Sequence, residues 1–234
     1  MSLIHSLKEV EEFTDRLFPE DLGRGEVIIF QLIARRKYWD ALKRPQLSLV
    51  KKIAHSRRNF LMKLLSVAES SYYTEELKQI PKEALALYIV PFKRNLITAV
   101  KSTVNDLVDS LSELIDAKNL SLKEEAFGRL HKANQFLFSN LSKQSSYPCF
   151  LVDIDKKDYS LFKEVISLFP EEFIVLSLET RGGYHILIKK DETTYRIINS
   201  ELKGLKEVEV KNKNYSIPIA GTLQGGFPVR IINR

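Results

Sequence analysis

The chain has one cysteine, Cys149, which excludes an intramolecular disulfide and a cysteine-based zinc site. It has no apolar run of transmembrane length, and its first residues, MSLIHSLKEVEEF, lack the apolar core of a secretory signal. Nine glycines and eight prolines are too few for long flexible linkers, and there is no internal repeat or low-complexity stretch. A cytoplasmic protein is the simplest expectation. What is present is a chain of 234 residues, 44% of them hydrophobic, enough for one large domain or two small ones with a real core. Its net charge of +6 and pI near 9.2 lean toward a polyanionic partner such as nucleic acid or nucleotide, and with no apolar run of spanning length no membrane partner is expected.

Hydrophobic spacing predicts the elements. Residues 6–18 read as an amphipathic helix, and EVIIFQLIARRKYW as a buried strand running into a basic-aromatic patch. SRRNFLMKLLSVAES reads as a helix, and ALALYIV (84–90) as a second buried strand stopped by Pro91. The clearest helix is RNLITAVKSTVNDLVDSLSELI, where Leu96, Val100, Val104, Leu107, Leu111 and Leu114 recur at intervals of three and four. SLKEEAFGRLHKANQFLFSNL is expected to be helical, with Ser121 as its cap and Glu124 three residues on. After Gln144 the pattern becomes strand CFLVDID, helix YSLFKEVISLF, strand EFIVLSLET, turn RGG, strand YHILIKK, helix TTYRIINSELKG and strand KEVEVK. That β-α-β-β-α-β order is the split βαβ, or ferredoxin-like, arrangement. The expectation is an α/β (α+β) protein. A helix-rich N-terminal module with strands, 1–144, joins a split-βαβ half, 145–234, in one unit.

In the usual strand order of that arrangement, 4-1-3-2, the first strand is central. Its C-terminal end meets the turn after the second strand and the starts of the third and fourth. Asp153, Asp155, Arg181, Gly182, Gly183, His185, Glu207 and Glu209 all fall at that end. Val152 and Ile154 alternate with Asp153 and Asp155, and Val208 and Val210 with Glu207 and Glu209. With the apolar residues under the helices, the acids share the opposite, open face. Carboxylates this close repel unless a cation lies among them, and oxygen ligands suit Mg²⁺ or Mn²⁺ together with phosphate.

Each residue also has a plainer reading. Asp153 and Asp155 can be a solvated strand end partnered by Lys156 and Lys157, and His185 an ordinary structural histidine. Glu207 and Glu209 can be the charges that protect an edge strand. Gly182 and Gly183 can be only a hairpin turn. ARRKYW can be a nucleic-acid contact, with arginine for phosphate and Tyr38 or Trp39 for stacking, or a solvated strand end with a partly buried Trp.

Taken in order, VDID, TRGGYHI, the acidic strand VEV and PIAGTLQGG resemble the archaeo-eukaryotic primase superfamily, primase-polymerases included. EALALYIVPFKRNLITAVKST is similar to the strand, loop and helix that precede the first motif in some members. The resemblance implies that Asp153 and Asp155 ligate catalytic divalent metals, with Glu209 or Glu207 as the third acid. It implies that Thr180, Arg181, Gly182, Gly183 and His185 bind the nucleotide, with Arg230 and Lys211 as further phosphate contacts. Members usually have Asp at the third acidic position, and many have His where Gln224 stands. The implied function is metal-dependent nucleotidyl transfer on a nucleic-acid template in DNA replication. Its partners would be nucleoside triphosphates and a single-stranded template, with a helicase or another replication protein as a further candidate. The alternative is a catalytically inactive, primase-like nucleic-acid-binding protein of replication or a mobile element.

Overall fold

A computed structural model describes residues 2–116, 120–130, 133–144 and 147–233. The chain begins with α1 (Leu7–Leu17), the hairpin β1 (Glu26–Arg35) and β2 (Gln46–Ala54), α2 (Arg57–Glu69), β3 (Leu85–Ile89) and the short β4 (Arg94–Asn95). Three helices follow: α3 (Leu96–Asp116), α4 (Leu120–Leu130) and α5 (Ala133–Lys143). Then come β5 (Cys149–Ile154), α6 (Tyr159–Ser167), β6 (Ile174–Glu179), β7 (Tyr184–Lys189), α7 (Glu192–Ile197) and β8 (Val208–Lys211). Four two-residue strands finish the chain: β9 (Ile217–Pro218), β10 (Leu223–Gln224), β11 (Phe227–Pro228) and β12 (Arg230–Ile231). The fold is mixed α/β with two antiparallel sheets, and among the described residues no helix is long and apolar enough to cross a membrane.

Two compact units are present. One gathers Met1–Leu22, Ile28–Lys93 and Tyr147–Arg234, the other Gly23–Val27 and Arg94–Ser146. Thus β3, and β1 from Ile28 onward, share a unit with β5 to β12. The boundary expected between 144 and 145 adjoins residues 145–146, which lie outside the described residues.

In the larger unit one sheet has the order β12-β6-β7-β5-β8, with every neighbouring pair antiparallel. The four strands flanking α6 and α7 in sequence thus lie in the order 4-1-3-2. β5 is central, so its six residues are all buried. Phe150, Val152 and Ile154 face the helices, where Val152 and Ile154 pack with Phe162, Val165 and Ile166 of α6. Asp158 caps α6 by accepting the backbone N–H groups of Ser160 and Leu161 at 3.1 and 3.2 Å. The opposite face is not open, as the alternation alone suggests. Leu151, Leu176, Leu178 and Leu187 pack there in a core shared with Phe13 of α1 and Tyr215. Toward the end carrying Asp153 and His185, from Leu151 onward, that face meets a cleft.

The second sheet has the order β11-β10-β3-β1-β2, with β9 added to β3. β1 lies between β2 and β3, and its run of Ile, Val, Phe and Leu is buried on both faces. Phe30 packs edge-on against Phe60 of α2, 5.2 Å between ring centres. Gln31, Ile33 and Arg35, on alternate positions, line the cleft.

In the smaller unit α3 packs against α4 and α5. The helix is the one the spacing predicts, but only half of the predicted stripe turns inward: Leu96, Leu107 and Leu114 are half-buried. Val100, Val104 and Leu111 are exposed, whereas Ala99, Thr103 and Ser110 are buried. The buried side is specified by hydrogen bonds: Asn140 of α5 donates to Thr103 at 3.2 Å and to Asp106 at 2.7 Å. Small residues let the helices approach there, and the polar pairs satisfy each other. Ser121 does not cap α4, which is already helical at Leu120; residues 131–132, expected within one continuous helix, lie outside the described residues.

Cys149, at the start of β5, is 6% exposed. Burial pushes its thiol up to about 11, because the thiolate would lose its hydration. Thiol-specific reagents at pH 7.5 should leave the folded protein unlabelled and react fully once urea unfolds it; fast labelling of the folded chain would contradict this packing.

Candidate functional site

The site grows from register. β5 pairs with β7 so that Asp153 opposes His185, and with β8 so that Asp153 opposes Glu209. Beyond the strand, the Asp155 N–H donates to the Glu207 carbonyl at 3.0 Å, which extends the β5–β8 pairing to the acidic end. One ligand atom each from Asp153, Asp155 and Glu209 lies within 4.8 Å of the others, a group that could hold a metal ion. Asp153 is buried, while Asp155 and Glu209 are exposed. Glu207 lies in the turn before β8 and is not part of this group.

Asp153 is the best-held member. Its Oδ1 meets His185 Nε2 at 3.1 Å, and its Oδ2 accepts from the Lys211 ammonium at 2.6 Å. Lys211 also reaches Glu209 at 3.0 Å. Burial alone would raise the Asp153 carboxyl, but His185 and then Lys211 outweigh it and hold the group down at about 2. Lys211 is raised: burial lowers it, and Asp153 and Glu209 more than compensate. An ammonium thus stands between two of the three acids, where a cation relieves their repulsion. His185 Nδ1 is buried and, among the described residues, has no hydrogen-bond partner.

A depressed carboxylate stabilises the fold above its unfolded value and stops doing so as pH falls through its folded value. With about 3.9 unfolded and about 2 folded, Asp153 should contribute about 2 to 3 kcal/mol at pH 7, lost progressively between roughly pH 5 and 1 and mostly between pH 4 and 2. Urea midpoints in EDTA check this: Asp153→Asn should be clearly destabilised at pH 7, and the gap to wild type should shrink by pH 2.5. A gap independent of pH would contradict the ion pairing.

The turn after β6 sits against the end of β5. The Thr180 N–H donates to the Gly183 carbonyl at 2.9 Å, and Gly183 N–H donates back to the Thr180 hydroxyl at 3.3 Å. A Cβ on Gly183 would stand 1.9 Å from the Ile154 carbonyl oxygen, so only glycine permits this contact. Gly182 is different: a Cβ there meets nothing within 4 Å, and the residue lines the cleft. Arg181 turns away from the acids. Its guanidinium lies 4.6 Å from the Tyr38 ring centre and donates to the Gly225 carbonyl.

The cleft, about 460 Å³, lies between the two sheets of the larger unit. Asp153, Asp155, His185, Lys211, Thr180 and Gly182 form one wall. Gln31, Arg35 and Lys37 from β1 and the turn after it, Tyr88 of β3 and Gln224 of β10 form the other. Gln224, 5% exposed, ties the walls together: its amide donates to the Tyr88 hydroxyl at 2.8 Å and accepts the Arg181 N–H at 2.8 Å. Arg35 donates to the same Tyr88 hydroxyl at 3.0 Å. Of this wall, sequence reasoning picked out the Ala34–Trp39 patch and Gln224 and missed Gln31 and Tyr88; the signal available for Tyr88 was a tyrosine inside the buried run ALALYIV. Arg230 pairs with Glu179 at the sheet edge, outside the residues lining the cleft.

Comparison of the chain with protein-family models, curated proteins and solved structures gives no match.

Proposed function

We propose that the protein is a metal-dependent nucleotidyltransferase of the primase or primase-polymerase type, acting on a nucleic-acid template. On this reading the β5–β8 sheet with α6 and α7 is its split-βαβ half. The observation that carries it is the group Asp153, Asp155 and Glu209, within 4.8 Å, whose two aspartates line a cleft with Arg35 and Lys37 across from them. The ordered motifs of the sequence support the same reading.

The donor set fits a hard divalent cation. It is all oxygen, and an ammonium already takes the cation's place between Asp153 and Glu209. Mg²⁺ or Mn²⁺ bound to these carboxylates would supply Lewis-acid stabilisation of phosphate charge and lower the pKa of an attacking 3′-hydroxyl. Asp153, oriented by His185, and the exposed Asp155 and Glu209 would hold the cation. Lys211, released from Asp153, would be free to meet triphosphate oxygens. Arg35 and Lys37 would offset the remaining phosphate charge from the opposite wall. At Gly182 phosphate could approach the backbone closely, because no side chain intervenes.

One observation favours a second reading. Lys211 saturates Asp153 Oδ2 and pairs with Glu209, as in a site whose metal has been replaced by a permanent cation. A catalytically inactive, primase-like nucleic-acid-binding protein would look like this.

The test is nucleotide incorporation. Protein is incubated with single-stranded DNA, labelled NTPs or dNTPs and Mn²⁺, beside Asp153→Ala/Asp155→Ala. Product that lengthens with time and is absent from the control supports the enzyme. DNA binding without product, at all nucleotide and metal concentrations, supports the second reading.

A further inference from the structure

The basic end of the β1–β2 hairpin extends past the cleft: Lys37 lines the cleft, and Arg36 lines the hollow beyond it. We propose that it is a track for the backbone of single-stranded nucleic acid leaving the cleft, gripped through phosphate by Arg36 and Lys37. The proposal rests on the nucleotidyl-transfer reading for its choice of polymer, and its geometry is independent of it.

Three observations carry it. First, the cleft does not end at Arg35. A second hollow of about 440 Å³ adjoins it, and Arg35, Lys37 and Gln46 line both. The two form one groove running from the acidic group across the end of the hairpin. Second, the charge of that groove is one-sided and little neutralised: Arg35 donates to the Tyr88 hydroxyl and Lys37 stands 5.3 Å from the Tyr38 ring centre, both uncharged partners. Arg35, Arg36 and Lys37 line the outer hollow against a single acid, Asp40. Arg36 and Lys37 are exposed, and among the described residues neither has a carboxylate within ion-pair distance. Lys43, nearby in sequence, is instead taken up by Glu76. Third, the backbone presenting them is fixed. Arg35 pairs with Gln46 across the hairpin, the Arg36 N–H donates to the Pro45 carbonyl at 2.9 Å, and the Trp39 N–H to the Arg36 carbonyl at 3.0 Å.

The aromatic neighbours define the mode of binding. Tyr38 lies beneath the Arg181 guanidinium with its hydroxyl buried, and Trp39 packs against the core. Neither ring is free to stack on a base, so the grip is on phosphate and carries no sequence information. A single strand spaces its charges regularly along the groove and delivers a phosphodiester to the acidic end. A carboxylate-rich peptide would have no counterpart for that end.

The test is fluorescence anisotropy with a labelled 20-nucleotide single strand in EDTA, across a salt series, for wild type and Arg36→Glu/Lys37→Glu. About three phosphate contacts predict a log–log salt slope near −2 for the wild type, since each contact on a single strand contributes about −0.7. The variant should bind at least about 10-fold more weakly with a slope near −0.7, and oligonucleotides of different sequence should bind alike. Wild-type affinity and slope in the variant would overturn the proposal, as would competition by polyglutamate at equal charge concentration or a preference for duplex over single strand. The two readings fail separately. Binding lost in the variant, from a wild type that makes no product, keeps the track and rejects the enzyme. Incorporation by a variant with undiminished strand binding does the reverse.

Discussion

Asp155→Asn should abolish nucleotide incorporation while leaving the fold intact. Asp155 is exposed, and among the described residues its recorded hydrogen bond is the backbone N–H to the Glu207 carbonyl, which asparagine keeps. A surface substitution of this kind shifts stability by about 0.5 kcal/mol or less. Loss of one carboxylate from a divalent site should cost roughly 10³-fold in rate, equivalent to about 4 kcal/mol of charge stabilisation. Asp155 therefore separates function from folding more cleanly than Asp153, whose removal strands His185 and Lys211 as well. Time courses with Mn²⁺ and melting curves on the same preparations check both halves. If Asp155 is only a solvated strand end, the substitution should change neither.

Gly183→Val should be the most destabilising single change in the turn. Its Cβ would lie 1.9 Å from the Ile154 carbonyl oxygen and 2.7 Å from the Lys156 nitrogen, both backbone atoms at the end of the central strand. Backbone cannot swing aside as a side chain can, so the turn must lift off β5 and carry the start of β7 with it. A loss of about 3 kcal/mol or more is expected, seen as a fall in Tm of roughly 10 °C. Gly182→Ala is the control. Nothing lies within 4 Å of the added methyl, so stability should change by under about 1 kcal/mol. The two adjacent glycines thus have different causes: Gly183 serves packing, and Gly182 leaves the cleft wall open. Equal effects of the two substitutions would contradict this.

The halves of the fold were unequally legible. From β5 to β8 the alternation of apolar and acidic residues reports facing directly, because a buried face and a helix-covered face impose period two. The strand β2 escaped notice: in QLSLVKKIA the apolar residues are interrupted by Lys51 and Lys52, which an edge strand tolerates. In α3 the period was legible and the direction was not. Spacing gives a stripe, whereas Asn140 against Thr103 and Asp106 decides which side is buried. At the site, the juxtaposition of Asp153, Asp155 and Glu209 follows from strand order and could be read. The ammonium of Lys211 on Asp153 could not, because it depends on the reach of a long side chain from a neighbouring strand. The cleft's far wall brings residues 31–35 and 88 opposite residues 153–185, a pairing of distant segments that local pattern does not encode.

The most direct test of the central claim, that these three acids form a divalent cation site, is an electron paramagnetic resonance titration of Mn²⁺ into the metal-free protein. The signal of free Mn²⁺ should stay suppressed until the site is filled, compared with the same additions to buffer. Asp155→Asn and Glu209→Gln should each weaken the suppression by roughly tenfold or more, and Lys211→Met, which removes the competing ammonium, should strengthen it. A wild-type protein that leaves the free-Mn²⁺ signal unchanged at millimolar metal would contradict the account and leave Lys211 as the acids' permanent partner.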